Sequence, residues 1–409
     1  MFRGLLFSLV AIALLVLLDL FIIKFTNSAF SKQNLLKPIS IIISIGLWLM
    51  VLLFFYLRGF KQDEDVAPVL FAIWVLFFLV KLWVLIFASS FNLVVFLEGL
   101  FQKTGLYEDV FFNNTRRAFI KKGVILSSLL PFVSVLHGIT LGRFNYKVYR
   151  NKLSFKDLPV GFDGLKVLQI SDLHLGSFKN KTEVQKGIDL INAQKADLVL
   201  FTGDMVNYKS DEIRPWVEML SEITPPYGKF SIMGNHDYGD YVRWKDEKEK
   251  IENIALFEKL QKEMGFKLLR NENLTINKDG HAIYLAGSEN WGKGVFSKYG
   301  DIEKTLHGIP KNAFTILMSH DPSHFDLQVK DHANFVHLTL SGHTHGMQFG
   351  IEVPGFIKWS PVKYRYPKWA GLYEEKNKYL YVNRGFGYIG FPGRVGIWPE
   401  ITVLELKKA

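Results

Sequence analysis

The sequence predicts an α/β domain preceded by a helical membrane region, and three observations support this prediction. Four long apolar stretches lie before residue 145, which places the membrane region at 1–145. From about residue 155 to 409, short apolar runs typical of buried strands alternate with helix patterns. Nearly every run ends in a polar cluster: SDLH, TGD, MGNHD, SHD or SGHTH. Because α/β sheets gather their ligands at the carboxyl ends of strands, these clusters predict one functional site.

Composition and charge exclude several classes of protein. The chain has 409 residues, 49% of them hydrophobic, and no cysteine. A disulfide framework, a thiolate metal site and a cysteine nucleophile are therefore excluded. Residues 1–150 carry 15 Lys/Arg against 7 Asp/Glu, whereas the remainder carries 34 against 32, so the net charge of +10 is uneven. The basic excess lies among the apolar stretches, as topology signals require, and we expect no nucleic-acid binding.

The four apolar stretches differ in how well they fit a membrane span. Residues 5–23 and 39–57 are each long enough to cross a bilayer. The third stretch, 69–97, is longer and must tilt, bend or extend into the interface. The fourth, 124–141, is short and interrupted by Pro131. We expect a multi-pass region in the cell membrane with about four transmembrane helices.

The basic residues between the stretches predict an orientation. The 24–38 loop has three Lys/Arg and the 98–123 loop has five, whereas the 58–65 loop has two with three acids. The positive-inside rule places the first two loops in the cytoplasm, so the C-terminal domain should face the periplasm or exterior. The segment NNTRRAFIKKGVILSSLLPF (113–132) resembles a twin-arginine export signal. A cluster of basic residues before a span is an equal alternative, and both interpretations put the domain outside.

After residue 155, seven runs are typical of buried strands and two longer segments of helices. The helix patterns cover 180–195 and the charged segment 243–264. The strand-like runs are 165–171, 197–203, 229–234, 282–288, 314–320, 336–342 and 379–385.

The polar clusters supply only carboxylate, amide and imidazole groups. Any one of them has a plain alternative, such as a helix cap, a turn residue or a hydrogen-bonded histidine. Five clusters at strand ends are better explained by divalent metal binding, because these groups suit Mn, Fe and Zn. Their members are Asp172, His174, Asp204, Asn235, His236, Asp237, His320, His343 and His345.

The ordered series D-x-H, G-D, G-N-H-D, a lone His and G-H-x-H resembles that of the calcineurin-like metallophosphoesterases. It spans residues 165–345, and the tail 379–406 is similar to the bacterial membrane-associated or twin-arginine-exported branch. The resemblance implies a four-layer sandwich of two mixed β-sheets flanked by helices, with a two-metal centre. Asn207 departs from the pattern, because many members carry an Asp there.

The resemblance also implies a role for each residue. One divalent ion would be held by Asp172, His174, Asp204 and His345, and the other by Asp204, Asn235, His320 and His343. Water between the ions would become the hydroxide that attacks phosphorus. His236 would protonate the leaving oxygen, and Asp237 would orient its ring or serve as a plain turn residue.

Substrate contacts are less constrained by the sequence. Asn235 and Arg384 are candidates, although an exposed arginine in a Gly-rich turn is an equal alternative to a phosphate contact. Segment 354–371 interleaves aromatic and basic residues, as expected of a lid, a membrane-interface surface or an ordinary loop. We expect a membrane-tethered phosphoester hydrolase, acting on phospholipid or nucleotide-lipid phosphodiesters if the anchor indicates the substrate. A membrane-anchored sensor or binding module with this fold but no turnover is the alternative.

Overall fold

The structure is a computed structural model, and the residues it describes fall into two compact units, 1–139 and 140–409. The described residues are 2–29, 36–56, 66–104, 111–294 and 296–409.

The first unit is helical. Two of its described segments are long and apolar enough to cross a membrane, Val66–Lys103 and Asn114–Thr140, and Ile41–Phe54 is a shorter apolar helix. The predicted loop 58–65 lies outside the described residues, as do parts of the other two loops. The helices are α1 (Phe2–Ala29), α2 (Leu36–Tyr56), α3 (Val66–Lys103), α4 (Asn114–Ser127) and α5 (Leu129–Thr140).

The third predicted span is one unbroken helix. At 1.5 Å per residue, the 38 residues of α3 measure about 57 Å, against about 30 Å for a bilayer core. Lys81, in its middle, does not mark a break. Its ammonium pairs with the Asp19 carboxylate of α1 and lies 3.2 Å from the Ser44 hydroxyl of α2. Trp48 of α2 donates its indole N–H to the same carboxylate, so one polar cluster joins three helices.

Within its described residues, the second unit contains two six-stranded mixed sheets and one isolated hairpin. The first sheet has the order β1-β14-β2-β3-β4-β5, the second β12-β13-β9-β8-β7-β6, and β10 pairs only with β11. The strands are β1 (Lys147–Phe155), β2 (Lys166–Ile170), β3 (Leu198–Phe201), β4 (Lys229–Ser231), β5 (Phe266–Leu268), β6 (Glu272–Lys278), β7 (His281–Gly287), β8 (Thr315–Met318), β9 (Leu338–Ser341), β10 (Ile351–Val353), β11 (Ile357–Trp359), β12 (Gly371–Glu375), β13 (Lys378–Val382) and β14 (Glu400–Lys408).

Each sheet has a run of four parallel strands at its centre. In the first sheet β2, β3, β4 and β5 are parallel, and β14 runs antiparallel to β2. In the second sheet β7, β8, β9 and β13 are parallel, and β6 and β12 run antiparallel at the edges. Because parallel strands end at the same edge, the polar clusters that follow them are brought together.

The two sheets pack face to face around a dry core. Val167 and Leu200 of the first sheet are fully buried in one cluster with Leu285 and Met318 of the second. Helices cover the outer faces: α6 (Lys181–Ala193), α7 (Val217–Ser221) and α8 (Glu247–Glu263) on the first sheet, α9 (Ile302–Leu306) on the second. The predicted fold class, a sandwich of two mixed sheets flanked by helices, is confirmed.

Candidate metal centre

Polar side chains from five strand ends meet at the edge of the two sheets where the parallel strands end. β2, β3 and β4 of the first sheet lead into Asp172, Asp204 and Asn235, whereas β8 and β9 of the second lead into His320 and His343. Their ligand atoms fall into two groups, and within each group they lie within 4.8 Å of one another. The groups are Asp172, His174 and His345, and Asp204, His320 and His343.

The first group is held by short contacts among three buried side chains. Nε2 of His174 lies 3.0 Å from Nε2 of His345, which is 3.2 Å from Oδ1 of Asp172. Nδ1 of His174 lies 3.1 Å from the Val206 carbonyl, to which it donates. In a neutral ring Nε2 is then an acceptor, so its lone pair faces the ring nitrogen of His345.

An amide oxygen, that of Asn235, lies beside the second group. Nδ1 of His343 lies 2.8 Å from Oδ1 of Asn235 and 3.3 Å from Nε2 of His320. His320 directs Nδ1 to the Thr202 carbonyl at 2.7 Å, which turns Nε2 toward the Asp204 carboxylate at 3.1 Å.

Asp204 is the carboxylate that reaches both groups. Its Oδ2 lies 3.1 Å from Nε2 of His320 and 3.7 Å from Nε2 of His174. Burial alone would raise the pKa of Asp204, but the imidazoles of His320 and His236 hold it well below its usual range. Burial alone would likewise lower the pKa of His320, but Asp204 raises it to about 10. Asp204 is therefore ionised and attracts positive charge to its surroundings.

This donor set fits divalent metal ions. Metal-bound histidines commonly use one ring nitrogen for the ion and donate from the other to a carbonyl or carboxylate, as His174 and His320 are arranged to do. Donor atoms at about 2.0–2.2 Å from a common ion would stand roughly 3 Å apart, as the donor atoms of the pairs His174–His345, His343–Asn235 and His320–Asp204 do.

Comparison with known proteins relates the chain to metal-dependent enzymes by sequence. A family model for calcineurin-like phosphoesterases matches residues 165–347, and a model for a probable calcineurin-like phosphoesterase transmembrane domain matches residues 3–143. The uncharacterized metallophosphoesterase YkuE of Bacillus subtilis is 34% identical over 253 residues, or 61% of this chain and 82% of YkuE. The chain belongs to the calcineurin-like metallophosphoesterase family.

Two other relatives share more of the chain. An uncharacterized metallophosphoesterase of Helicobacter pylori is 27% identical over 413 residues, covering 97% of this chain and 98% of that protein. A transmembrane protein with metallophosphoesterase domain from Danio rerio is 28% identical over 295 residues, covering 70% of this chain but 63% of its own length. The chain is therefore a membrane-associated metallophosphoesterase homologue, and the family implies use of divalent metal.

Backbone strain is concentrated at the proposed ligands of this phosphoesterase domain. Five of the seven, Asp172, His174, Asp204, His343 and His345, have φ between 47° and 70°, the left-handed region that non-glycine residues seldom adopt. Such strain persists only where the surrounding structure imposes it, and it is typical of functional sites.

The glycine before the two histidines is required by close packing. A Cβ at Gly342 would lie 1.9 Å from the Ser171 hydroxyl and 2.3 Å from a carboxylate oxygen of Asp172. The backbone N–H of His343 donates to that same carboxylate at 3.0 Å. Glycine therefore lets the strand end approach Asp172 closely, which places the following imidazoles in the centre.

His236 lies at the edge of the centre, and its tautomer is set by the backbone. Its Nδ1 lies 2.7 Å from the Asn207 carbonyl and donates to it, so Nε2 is the ring nitrogen not engaged by that carbonyl. The ring is half-buried and packs edge-on against His174, with centroids 5.0 Å apart. Asn207 contacts His236 through its backbone carbonyl. This contact does not depend on whether residue 207 is an asparagine or an aspartate.

Asp237 does not orient that ring, and its contacts fit the alternative prediction of a turn residue. In the described structure its carboxylate accepts backbone N–H bonds from Asp204, Met205, Val206 and Gly234, at 2.7–3.2 Å. Asp237 therefore fixes the strained turn that carries Asp204. The sequence could not show whether Asp237 orients a ring or holds a turn, because a bond to a backbone N–H does not depend on the identity of the partner residue.

Arg384, predicted as a substrate contact, is buried and already paired. Its guanidinium forms two hydrogen bonds with Glu352, at 2.5 and 2.9 Å, and one with Glu400 at 2.5 Å. With only 3% of its side chain exposed, the group braces the hairpin β10–β11 against the sheet. The placement differs from the prediction because Arg384 pairs with two acids that are distant from it in the sequence. Nothing in the sequence identifies Glu352 and Glu400 as its partners.

Three residues of the centre's surroundings were missed by sequence reasoning. The hydroxyl of Tyr366 lies 2.9 Å from Nε2 of His343 and donates to Oδ2 of Asp321 at 3.1 Å. Burial and Asp321 raise the pKa of Tyr366, which keeps it a neutral donor. Arg394 is fully buried, with Nη2 3.3 Å from Nδ1 of His345. Asp321 directly follows His320 at a strand end, so the sequence could have predicted it as a site residue. Tyr366 and Arg394 lie in irregular segments, where no sequence pattern indicates a functional residue.

Proposed function

We propose that this chain is a phosphoester hydrolase that uses two divalent metal ions. The observation that carries the proposal is the pair of donor groups that share Asp204. One ion would be held by Asp172, His174, Asp204 and His345, and the other by Asp204, Asn235, His320 and His343. Mn, Fe and Zn all suit this donor set of carboxylate, amide and imidazole.

The protein's own groups supply the rest of the chemistry. When bound, the ions would polarise phosphoryl oxygens and acidify a water for attack on phosphorus. His236 is the proposed general acid, because its Nε2 is free to carry a proton while Nδ1 is held by the Asn207 carbonyl. Asn235 would contact the substrate phosphate beside the centre. Asp237 would act through the turn that carries Asp204 and not through substrate, and we leave Arg384 out of the substrate contacts.

The membrane region suggests the substrate class and the location. We infer a phosphodiester carried by a lipid, either a phospholipid or a nucleotide-lipid, in reach of a chain with a multi-pass anchor. The domain boundaries 1–145 and 155–409, and a catalytic domain outside the cytoplasm, are part of the same proposal. The segment 113–132 would act in export either as a twin-arginine-like signal or as a basic flank of its span.

Metal content and hydrolysis, measured together on the full-length chain, test the proposal. We expect the Mn²⁺-loaded protein to hydrolyse bis-p-nitrophenyl phosphate. Asp204→Asn should lose both metal and turnover, whereas His236→Ala should keep its metal and lose roughly 10²–10⁴-fold in kcat. Asp211→Asn and His307→Ala, at exposed positions outside the centre, should match the wild type.

Two results would contradict the proposal. Stoichiometric metal without hydrolysis of any phosphomonoester or phosphodiester would leave a binding module. Metal binding unchanged by Asp204→Asn would show that the two groups do not form the site. Lipid specificity is a separate question, and equal rates on soluble and vesicle-borne phosphodiesters would remove it while leaving the hydrolase intact.

A further inference from the structure

The hairpin β10–β11 presents an apolar face to solvent. Its register pairs Ile351 with Trp359 and Val353 with Ile357, so these four side chains share one side of the two strands. Ile351 is 52% exposed and Val353 49%, and Phe356, in the turn, is 88% exposed. Soluble surfaces seldom expose apolar side chains grouped in this way, and such groups mark interaction sites.

The opposite face of the hairpin is fixed to the domain. Glu352 accepts two hydrogen bonds from the buried Arg384, and its cross-strand partner Lys358 donates to the Ala370 carbonyl at 2.5 Å. A two-stranded hairpin is marginally stable in water by itself, and these bonds hold it in place. The apolar face therefore cannot turn inward, and its exposure is built into the fold.

Basic and aromatic side chains surround this hairpin along the chain. The segment 351–371 contains four Lys/Arg and one acid, Glu352. Lys358 is bonded to the Ala370 carbonyl and Lys368 to Asp326 and Glu375, so the exposed basic residues beyond the hairpin are Lys363 and Arg365. Tyr364 is 78% exposed, and Met347, two residues after His345, is 58% exposed. Tyr366, in the same segment, contacts His343 of the candidate metal centre.

We propose that the hairpin Ile351–Trp359, with Phe356 at its tip, is a membrane-docking surface that inserts into the headgroup region of a bilayer bearing anionic lipids. Apolar and aromatic residues flanked by Lys and Arg are typical of interfacial membrane contacts, and the positive charge complements anionic headgroups. The chain's own membrane region keeps a bilayer within reach, which raises its effective concentration above that of a diffusing protein partner. Access of the centre to lipid-borne phosphodiesters rests on the proposed function, but the docking itself does not.

Because the chain has no cysteine, one engineered thiol reports on one position. The test uses the full-length Phe356→Cys variant, spin-labelled and reconstituted in vesicles of phosphatidylcholine and phosphatidylglycerol. The collision rate of the spin label with oxygen, which partitions into lipid, is compared with its collision rate with a water-soluble nickel chelate. The matched control is Ile251→Cys, because Ile251 is an exposed apolar residue (59%) on the charged helix α8. We expect the oxygen-to-nickel ratio to be several-fold higher at 356 than at 251.

Two results overturn docking. Equal ratios at 356 and 251 would place the hairpin in water, and low access to both reagents at 356 would indicate a protein partner or a second copy. Phe356→Asp should further raise KM for a vesicle-borne phosphodiester without changing kcat on a soluble one, with Ile251→Asp as control. If the wild type hydrolyses neither substrate, the proposed function is refuted. The spin-label measurement does not depend on hydrolysis and would still test docking.

Discussion

At the scale of single residues, the candidate centre depends on groups that never touch an ion. The carbonyls of Val206 and Thr202 fix which ring nitrogen of His174 and His320 faces inward, and Tyr366 does the same for His343. An imidazole that is free to rotate loses conformational entropy when it binds an ion. One of its two neutral tautomers would also direct a protonated nitrogen at the ion. Metal affinity should therefore respond to substitutions outside the ligands.

Tyr366→Phe tests this dependence with the loss of one oxygen atom. The variant keeps the ring that packs on His343 but removes the hydroxyl between His343 and Asp321. We expect metal affinity to fall by roughly 10–100-fold, the effect typical of losing an outer partner of a metal-bound histidine. Competition with a chelator, followed by metal analysis, measures the change.

Tyr364→Phe is the matched control, because this tyrosine is two residues away and 78% exposed. It should bind metal as the wild type does. Excess Mn²⁺ should restore hydrolysis in Tyr366→Phe, since the ligands and His236 remain. An unchanged affinity would show that the Tyr366 hydroxyl is not needed to hold His343.

At the scale of elements, the sequence predicted the central strands and missed those defined by distant partners. All seven apolar runs form strands, because buried parallel strands are continuous runs of Val, Ile, Leu and Phe. β14 was not predicted to lie between β1 and β2, a pairing that joins residues more than 230 apart in the chain. The strand-end residues were predicted to meet because the parallel centre of each sheet requires it. The contacts of Asp237 and Arg384 were not, because their partners are backbone amides and remote acids.

The helices α1, α2 and α3 share a polar cluster that should determine how they pack. Breaking a desolvated ion pair by removing one partner leaves an uncompensated charge, whereas replacing both partners with apolar groups is often tolerated. We expect Lys81→Met to destabilise the helical region by about 3–5 kcal/mol, and Asp19→Leu/Lys81→Met by clearly less. Unfolding in mixed micelles with increasing SDS, followed by circular dichroism, measures both. Lys24→Met, at an exposed position of α1, should have no effect, and equal losses in the single and double variants would exclude a coupled pair.

At the scale of the whole molecule, both the charge balance and the hydropathy of the sequence change near residue 150. The net charge of +8 in residues 1–150 contrasts with +2 in the remainder, where acids and bases nearly balance. A nearly neutral, mixed-charge domain suits a soluble enzyme, whereas a basic helical region suits loops retained at the cytoplasmic face. We therefore infer the side of the membrane on which hydrolysis would occur from the basic loops within residues 1–150.

The proposed orientation makes a prediction that the absence of cysteine allows to be tested directly. Lys248 lies on α8 of the catalytic domain with 84% of its side chain exposed, and Lys103 lies in the loop 98–123 that the positive-inside rule assigns to the cytoplasm. With single cysteines at these positions, a membrane-impermeant maleimide applied to spheroplasts should label Lys248→Cys. Lys103→Cys should be labelled only after lysis. The opposite pattern would place the catalytic domain in the cytoplasm, and the five basic residues of that loop would then have been translocated against the rule.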